Sequence, residues 1–206
     1  MASFKLIFEA TMSSSEINNA AQQTMHDAPQ HDLERDEYVK GNVLFQGLPI
    51  AIENPIGSVR RGDGWETRFT SHYGEIIGSL GNDNDGVDVF IGPDANSDYV
   101  LCVNQQVYQG GGEFDEHKFM LGYPNREAAL KAYYDHHSDD WAEQPAVDTK
   151  ISELQDWLAT GDKRSPYNPY QMRNRVLDNR RGGDLEALTA KYFSDVFNRI
   201  KFNRSK

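Results

Sequence analysis

The sequence predicts an α+β protein, mainly β, with a small closed or half-closed antiparallel barrel of the OB type and flanking helices. Two observations predict it. Between residues 38 and 121, short apolar runs are separated by turns rich in Gly, Pro, Asn and Asp, which is typical of small barrels. Beyond residue 125, the apolar residues recur at helical spacing instead. The predicted parts are an N-terminal arm and linker at 1–37, the barrel with its helix at 38–137, and a C-terminal helical extension at 138–206.

The N-terminal arm is predicted to hold a strand and a short helix. Residues 4–8 form an apolar run that predicts the strand. Ser13 or Ser14 is placed to cap a helix that ends near Met25, because a serine side chain accepts a hydrogen bond from the first turn. Residues 26–37 are polar and predict a linker.

The barrel is predicted from short strands and tight turns. The stretch at 55–65 is polar and rich in glycine, which predicts a loop, and 110–112 predicts a hairpin turn. The strands are expected at 43–45, 50–53, 66–70, 73–77, 87–91, 99–106 and 116–121.

Three helical patterns follow the barrel. Asn125 is placed to cap a helix over 126–136, and a second helix is predicted over 151–158. Apolar residues over 185–202 recur near helical spacing, which predicts an amphipathic helix. We expect this last helix to pack on the barrel, and contact with a partner protein is the alternative.

The composition excludes several classes of protein. A chain of 206 residues with 38% hydrophobic and 26% charged residues is long enough for one good core. The single cysteine, Cys102, lies in an apolar run, which predicts a buried thiol and excludes a disulfide framework within the chain. The apolar run at 4–8 is too short for a signal peptide or a membrane span. We expect a soluble intracellular protein, or a component of an assembly built inside a cell.

The formal net charge of −11 is unevenly distributed. From residue 163 to the end there are 11 basic against 4 acidic residues, an excess of +7, whereas the rest of the chain carries −18. An acidic body disfavours nucleic acid as the main ligand. The basic tail at 163–206 is predicted to bind an acidic protein surface, nucleic acid or the protein's own body.

Three aspartates in one short turn are the most informative feature for function. Asp83, Asp85 and Asp88 stand at spacings of two and three residues between two apolar runs. Carboxylates this close repel one another unless a cation lies among them, and oxygen donors alone favour Mg²⁺ or Mn²⁺. The turn therefore predicts metal-dependent phosphate chemistry, with a solvated acidic loop as the alternative. An EF-hand is excluded, because its sixth position requires the glycine that Asp88 replaces.

A second group of polar residues lies at the end of the first predicted barrel helix. His136 and His137 are followed by Asp139 and Asp140, which resembles a metal-binding cluster. Neighbouring histidines on a helix do not face one another, so they cannot easily share one ion. We therefore predict a solvated helix terminus.

The acidic turn resembles the signature of the soluble, barrel-type inorganic pyrophosphatases: acid, small or polar, acid, Pro or Glu, aliphatic, acid, aliphatic. Six of seven positions at 83–89 fit, and Gly86 departs from the pattern. Further matches stand in the expected order: Glu53, Arg60 or Arg61, Arg68, Tyr73-Gly74, Asp115 and Glu116-His117-Lys118. The block is also similar to pyrophosphatase-like domains of bacteriophage proteins, which implies a phage origin and a location in the host cytoplasm or the virion.

The resemblance implies a site for pyrophosphate or a related phosphoanhydride, with Mg²⁺ as cofactor and Mn²⁺ as an alternative. The catalytic residues that it implies are Asp85, as the partner of the attacking water, and Lys118, Arg68 and Tyr73. The implied metal ligands are Asp83, Asp85, Asp88, Asp115 and Glu116, with Glu53 at the rim. The residues implied to neutralise or hydrogen-bond phosphate oxygens are Lys118, Arg68, Arg60 or Arg61, and Tyr73.

Two hypotheses from different classes follow. The first is a phage-encoded, Mg²⁺-dependent hydrolase of phosphoanhydrides. The second is a phage virion or assembly protein that uses the barrel as a scaffold, since a fold alone does not determine function. In that case residues 1–37 and 163–206 would contact neighbouring subunits, because the arm and the tail have no counterpart in the compact enzyme.

Overall fold

The computed structural model describes residues 11–29, 31–32, 35, 37–107, 112–138, 141–169 and 185–203. The strand predicted at 4–8 and most of the hairpin turn predicted at 110–112 lie outside these residues. The described strands are β1 (Gly41–Phe45), β2 (Leu48–Asn54), β3 (Val59–Gly62), β4 (Trp65–Arg68), β5 (His72–Ile76), β6 (Val87–Ile91), β7 (Tyr99–Gln106), β8 (Phe114–Leu121) and β9 (Ala146–Lys150). The described helices are α1 (Ser14–Ala21), α2 (Arg126–Tyr134), α3 (Ile151–Thr160) and α4 (Leu185–Asn203).

The predicted fold class is confirmed in its half-closed form. Seven strands form one sheet in the order β1-β2-β5-β6-β8-β7-β9, and β3 with β4 forms a separate hairpin. In the described residues β1 and β9 remain the two edges, so the sheet does not close. Each neighbouring pair in this sheet is antiparallel except β6 and β8, which run parallel. The prediction of a purely antiparallel sheet was wrong at this pair, because β8 inserts between β6 and its own hairpin partner β7.

Two elements were not predicted as structure. The glycine-rich loop contains β3, whose side chains are mostly exposed and therefore give no alternating apolar pattern. The connection between the helices predicted at 126–136 and 151–158 contains β9, which pairs with β7 in the register Tyr99↔Lys150. In β9 only Thr149 is buried, so its pattern is equally weak. Both strands depend on pairing with a neighbour rather than on an apolar face.

The helix caps follow the predicted chemistry. Ser13 caps α1: its side chain accepts from the Glu16 backbone N–H, and the Glu16 carboxylate accepts from the Ser13 N–H at 2.8 Å. The helix then ends at Ala21, earlier than the predicted end near Met25. The Asn125 side chain accepts from the Ala128 N–H at 3.0 Å and caps α2, as predicted.

The sheet has a core on each face, because alternate residues of a strand point to opposite sides. One core packs Ile50, Val89 and Phe119 against α1 and α3. The other packs Phe90 and Met120 against α2. The predicted burial of Cys102 is confirmed, and burial raises the pKa of its thiol. The second face continues into a group of charged side chains, described below.

The C-terminal helix packs on the protein's own body, as the amphipathic pattern predicted. Phe193 and Val196 are buried, and the Thr189 hydroxyl donates to the Asp156 carboxylate on α3 at 3.0 Å. The Tyr192 hydroxyl donates to the Gly78 carbonyl at 3.2 Å. No helix in the described ranges combines the length and the apolar character needed to cross a bilayer.

Lys163 caps the carboxyl end of α3. We predict that replacing it lowers the stability of the protein. Its ammonium donates to the carbonyls of Trp157, Leu158 and Gly161 at 2.7, 2.8 and 2.9 Å. A Lys163→Met substitution leaves these carbonyls without that donor, which we expect to lower the free energy of unfolding by about 2 kcal/mol. Urea denaturation measures it, and Lys131→Met on an exposed ion pair is the matched control. Equal stability losses in the two variants would contradict the capping role.

Candidate active site

Charged side chains from neighbouring strands form one row across the second face of the sheet. Glu75 on β5 lies opposite Asp88 on β6, and Asp88 lies opposite Lys118 on β8. Glu116, two residues before Lys118, points to the same side of β8. We call Glu53, Glu75, Asp88 and Glu116, with Lys40 and Lys118, the charged cluster. It unites residues from distant parts of the sequence on adjacent strands.

Lys118 lies at the centre of the charged cluster and is itself buried. Its ammonium donates to the Asp88 carboxylate and to the Tyr73 hydroxyl at 3.3 Å, and lies 3.0 Å from Glu116 Oε1. Burial disfavours its charge, but Tyr73, Asp88 and Glu116 together hold the pKa of Lys118 above its usual value. Lys118 is therefore a fixed positive charge at any physiological pH.

Glu116 is held by a chain of hydrogen bonds. Gln105 donates to Glu116 Oε1 at 2.8 Å, and the Tyr133 hydroxyl donates to Gln105 Oε1 at 2.8 Å. The Trp141 indole N–H donates to that hydroxyl at 3.2 Å. Burial, with Asp88 adding to it, raises the pKa of Glu116 to about 7. Glu116 can therefore hold or release a proton near neutral pH. Gln105 and Tyr133 were not predicted as part of the site, because neither belongs to a sequence motif.

A second lysine neutralises the other end of the charged cluster. The Lys40 ammonium donates to Glu53 Oε1 at 2.8 Å and to Glu75 Oε1 at 3.0 Å. Burial nevertheless raises the pKa of Glu53, and the charges of Glu75 and Asp88 add to this effect. The charged cluster thus contains four carboxylates and two ammonium groups, and this half-buried site carries an excess of negative charge.

The acidic turn between β5 and β6 is shaped by its own aspartates. Asp83 Oδ1 accepts from the Asp85 N–H at 3.0 Å, and Asp85 Oδ1 accepts from the Gly86 N–H at 2.9 Å. Asn84 has a positive φ of 70°, which asparagine tolerates better than most residues. The Asn82 amide donates to the Asp115 carbonyl at 2.8 Å and ties the turn to the start of β8. The Asp83 and Asp85 side chains remain exposed.

Gly86, which departs from the pyrophosphatase signature, is explained by its neighbour. A Cβ at Gly86 would lie 1.9 Å from Glu75 Oε2 and 2.8 Å from Glu75 Cβ. The glycine therefore provides the space that the Glu75 side chain occupies.

The residues implied to bind metal ions have suitable donor atoms but do not lie around one point. Nowhere in the described ranges do three His, Cys, Asp or Glu side chains lie close enough together to hold one ion. Asp83 and Asp85 are in the exposed turn, whereas Asp88 and Glu116 pair with Lys118. The donors nevertheless fit a hard divalent cation in kind, because all are oxygens, and in charge, because carboxylates exceed lysines. The donor chemistry fits, and the side chains are not gathered around one point.

A cleft of about 150 Å³ opens beside the charged cluster. Among the predicted phosphate ligands it brings together Arg60, Tyr73 and Lys118. It does not include Arg61, which pairs with Glu66 at 2.8 Å, or Arg68, which donates to the Gly57 carbonyl at 3.1 Å. Alternation along the β3–β4 hairpin separates the arginines onto its two faces. The remaining lining residues are Trp65, Thr67, Phe69, Phe90, His136 and His137.

The prediction of a solvated helix terminus was wrong for His136 and His137, and Asp139 and Asp140 lie outside the described residues. His136 Nε2 accepts from the Thr70 N–H at 3.1 Å, and its Nδ1 donates to the Ala132 carbonyl at 2.6 Å. His137 stacks on Trp141 with ring centroids 4.7 Å apart. Burial lowers the pKa of both histidines. They are a wall of the cleft, because the end of α2 packs against the loop that precedes β5.

One of three comparisons with known proteins identifies a family for this chain. A sequence model of the family described as Inorganic Pyrophosphatase matches residues 30–159, which is more than half of the chain. Comparison with curated proteins and with solved structures gave no match. The matched range includes the acidic turn, the charged cluster and the cleft. The chain therefore belongs to the inorganic pyrophosphatase family.

Proposed function

We propose that this protein is a Mg²⁺-dependent hydrolase that cleaves pyrophosphate or a related phosphoanhydride. The observation that carries the proposal is the position of Lys118. It lies between the carboxylates of the charged cluster and the cleft that Arg60 and Tyr73 also line. Cations on one side and carboxylates on the other match a polyanionic substrate that is bound together with divalent metal.

The phosphate oxygens are assigned to three side chains. Lys118 supplies a fixed positive charge, and Arg60 supplies a planar guanidinium that can bind two oxygens at once. The Tyr73 hydroxyl is a hydrogen-bond donor, since burial raises the pKa of Tyr73 far above neutrality and keeps it protonated. These three groups bind and orient the substrate. The structure gives Arg61 and Arg68 other partners, so we assign them no contact with substrate.

The metal ligands proposed are Asp83, Asp85, Asp88, Asp115 and Glu116, with Glu53 at the rim. Mg²⁺, or Mn²⁺ in its place, would supply positive charge opposite the reacting phosphate oxygens and make a water molecule more acidic. One oxygen of each carboxylate, Asp83 Oδ1 and Asp85 Oδ1, accepts within the turn, and among the described residues the other oxygen of each accepts no hydrogen bond.

The proton balance of the reaction involves two carboxylates. The water oxygen bonds to one phosphorus while the bridging P–O bond breaks, and one water proton ends on the departing phosphate. Pyrophosphate and water thus become two hydrogen phosphate ions. Asp85 is proposed as the proton acceptor because its carboxylate is exposed at the turn. Glu116, whose pKa burial raises to about 7, is proposed to give up its proton when it binds the cation.

Phosphate release from pyrophosphate tests the proposal through Asp83→Asn. Asparagine preserves the turn, because its side-chain oxygen also accepts from the backbone two residues on. It removes a ligand charge, so we expect a roughly 100-fold loss of Mg²⁺-dependent activity with stability changed by less than about 0.5 kcal/mol. Asp94→Asn is the matched control, since Asp94 is exposed and accepts from the Asn96 N–H at 2.9 Å in the same way. Equal activity in the two variants, or no Mg²⁺-dependent turnover by the unmodified protein, would refute the proposal.

The second hypothesis is a virion or assembly protein in which residues 1–37 and 163–206 contact neighbouring subunits. Within the described parts of residues 1–37 and 163–206, Ile17 and Ala21 of α1 and Phe193 of α4 belong to this chain's own core. The hydrolase is the function that the geometry supports best, because Lys118 joins the charged cluster to the cleft.

A further inference from the structure

The rim of the cleft carries an indole that pyrophosphate does not need. Trp65 begins β4, lines the cleft and is 50% exposed. Its ring lies on the backbone of Gly62, where a Cβ would come within 2.2 Å of the indole. Glycine at this position lets a flat aromatic surface rest against the hairpin. The indole is thus supported on one side and open on the other parts of its surface.

Arg60 stands on the same face of the hairpin as Trp65. Arg60 pairs with Thr67 in the β3–β4 register, and Gly62 pairs with Trp65, so their side chains share one side. In the part of the chain that the structure describes, the Arg60 guanidinium has no ion-pair or hydrogen-bond partner, unlike that of Arg61. An exposed cation and an exposed ring therefore line the same cleft as Lys118 and Tyr73.

This combination of groups identifies a ligand class. Pyrophosphate has no apolar surface, whereas Phe69, Phe90, His136 and His137 extend the aromatic lining below Trp65. An aromatic platform beside cations is how proteins bind nucleotides: the base stacks on the ring while cations neutralise the phosphates. The cleft of about 150 Å³ has room for phosphate groups, with the base outside at the rim.

We propose that the site takes a phosphoanhydride that carries a nucleobase, a nucleoside diphosphate or triphosphate, with the base stacked on Trp65. The phosphates then lie between Arg60, Tyr73 and Lys118. This inference rests on the proposed hydrolase function and names its substrate class. With a nucleoside diphosphate, the water oxygen bonds to the terminal phosphorus and the bridging P–O bond breaks. The products are a nucleoside monophosphate and phosphate, which share the protons of the water.

Stacking defines the class of ligand and not the individual base. Every base offers a flat π surface, so stacking on one indole discriminates little among them. The hydrogen-bonding side chains that the hairpin contributes to the cleft are Thr67, the Trp65 indole and Arg60, which is assigned to the phosphates. We therefore expect purine nucleotides to bind with similar affinities.

Calorimetric titration with two ligands that resist hydrolysis tests the inference. The first is the α,β-methylene analogue of ADP, and the second is methylenediphosphonate, which has the same two phosphorus atoms and no base. Trp65→Ala should weaken the nucleotide analogue roughly 10-fold, because stacking of one base contributes that order of affinity, and methylenediphosphonate less than about 2-fold. Trp65→Phe should retain most of the affinity. Val39→Ala is the control, since Val39 is 54% exposed and outside the cleft lining.

The outcomes separate this inference from the hydrolase proposal. Equal weakening of both ligands by Trp65→Ala, or no gain in affinity from the base in the unmodified protein, overturns the nucleotide class. If the protein releases phosphate from pyrophosphate under those conditions, the hydrolase proposal still stands. Conversely, base-dependent binding through Trp65 without hydrolysis of pyrophosphate or ADP overturns the hydrolase proposal and retains the ligand class. Circular dichroism of each variant confirms that the hairpin substitutions leave the fold intact.

Discussion

Replacing Lys118 by methionine should both remove activity and destabilise the protein strongly. Its ammonium is bound by Asp88, Glu116 and the Tyr73 hydroxyl, with the Lys118 and Asp88 side chains only 11% and 15% exposed. Methionine fills a similar volume but leaves two carboxylates without their cation in a half-buried site. Breaking such a pair costs about 3–5 kcal/mol, since the remaining charge stays desolvated. Loss of a phosphate-binding cation should also lower the rate of hydrolysis by roughly 100-fold or more.

A double variant distinguishes the structural role of Lys118 from its chemical role. Asp88→Asn combined with Lys118→Met removes both charges of the pair, so we expect it to recover at least half of the lost stability. It should recover no activity, because both the cation and a proposed metal ligand are absent. Urea denaturation and phosphate release measure the two effects, with Lys131→Met as a surface control. A Lys118→Met variant as stable as the unmodified protein would show that Lys118 does not compensate the buried carboxylates.

The acidic turn and its distant lysine could be predicted because each has a local pattern. Asp83, Asp85 and Asp88 are spaced within one turn, and Lys118 follows an acid on an apolar strand. Of the three aspartates, Asp88 contacts Lys118, through the parallel pairing of β6 with β8 between residues 30 positions apart in sequence. No local pattern encodes that pairing, so the resemblance to a family was needed to join the two pieces.

The sequence could not separate Arg60 from Arg61, for a different physical reason. Successive side chains of β3 point to opposite faces, so only one of the two arginines can face the cleft. The side chains of β3 are mostly exposed, so no apolar pattern in the sequence indicates which arginine that is. Lys40 and Gln105 were missed because each acts only through a partner on another strand. The Gly86 departure likewise has its explanation in the side chain of Glu75, across the β5–β6 pair.

Acidification between about pH 6.5 and pH 4 should weaken the fold through His72. This side chain is 3% exposed, Nδ1 accepts from the Ile56 N–H at 3.0 Å, and Nε2 lies 2.7 Å from Asn18 Oδ1. Only the neutral ring with its proton on Nε2 satisfies both contacts, because a proton on Nδ1 would face the Ile56 N–H. Burial accordingly lowers the pKa of His72 to about 4.

The sign of the effect follows from the protons bound in each state. Between pH 6.5 and pH 4 the unfolded chain binds a proton at this histidine and the folded protein does not, so stability decreases as the pH falls. The full shift corresponds to a loss of about 3 kcal/mol, complete only below the folded pKa. Glu116 acts in the opposite direction, because its pKa is raised to about 7 and its protonation favours the folded state between about pH 7 and 4.5. The total stability curve also contains other groups: burial lowers the pKa of His117 to about 4, lowers those of His136 and His137, and raises that of Glu53.

The difference between the unmodified protein and His72→Gln isolates the histidine from Glu116. Glutamine keeps a donor for Asn18 but cannot titrate, so its stability should lack this loss at low pH. The stability advantage of the unmodified protein at pH 7 should shrink steadily toward pH 4, as measured by urea denaturation at intervals of half a pH unit. His31→Gln provides the control, because the His31 side chain is 68% exposed. A difference that stays constant over the whole range would mean that His72 titrates alike in the folded and unfolded states, and the two-contact geometry would then not govern its protonation.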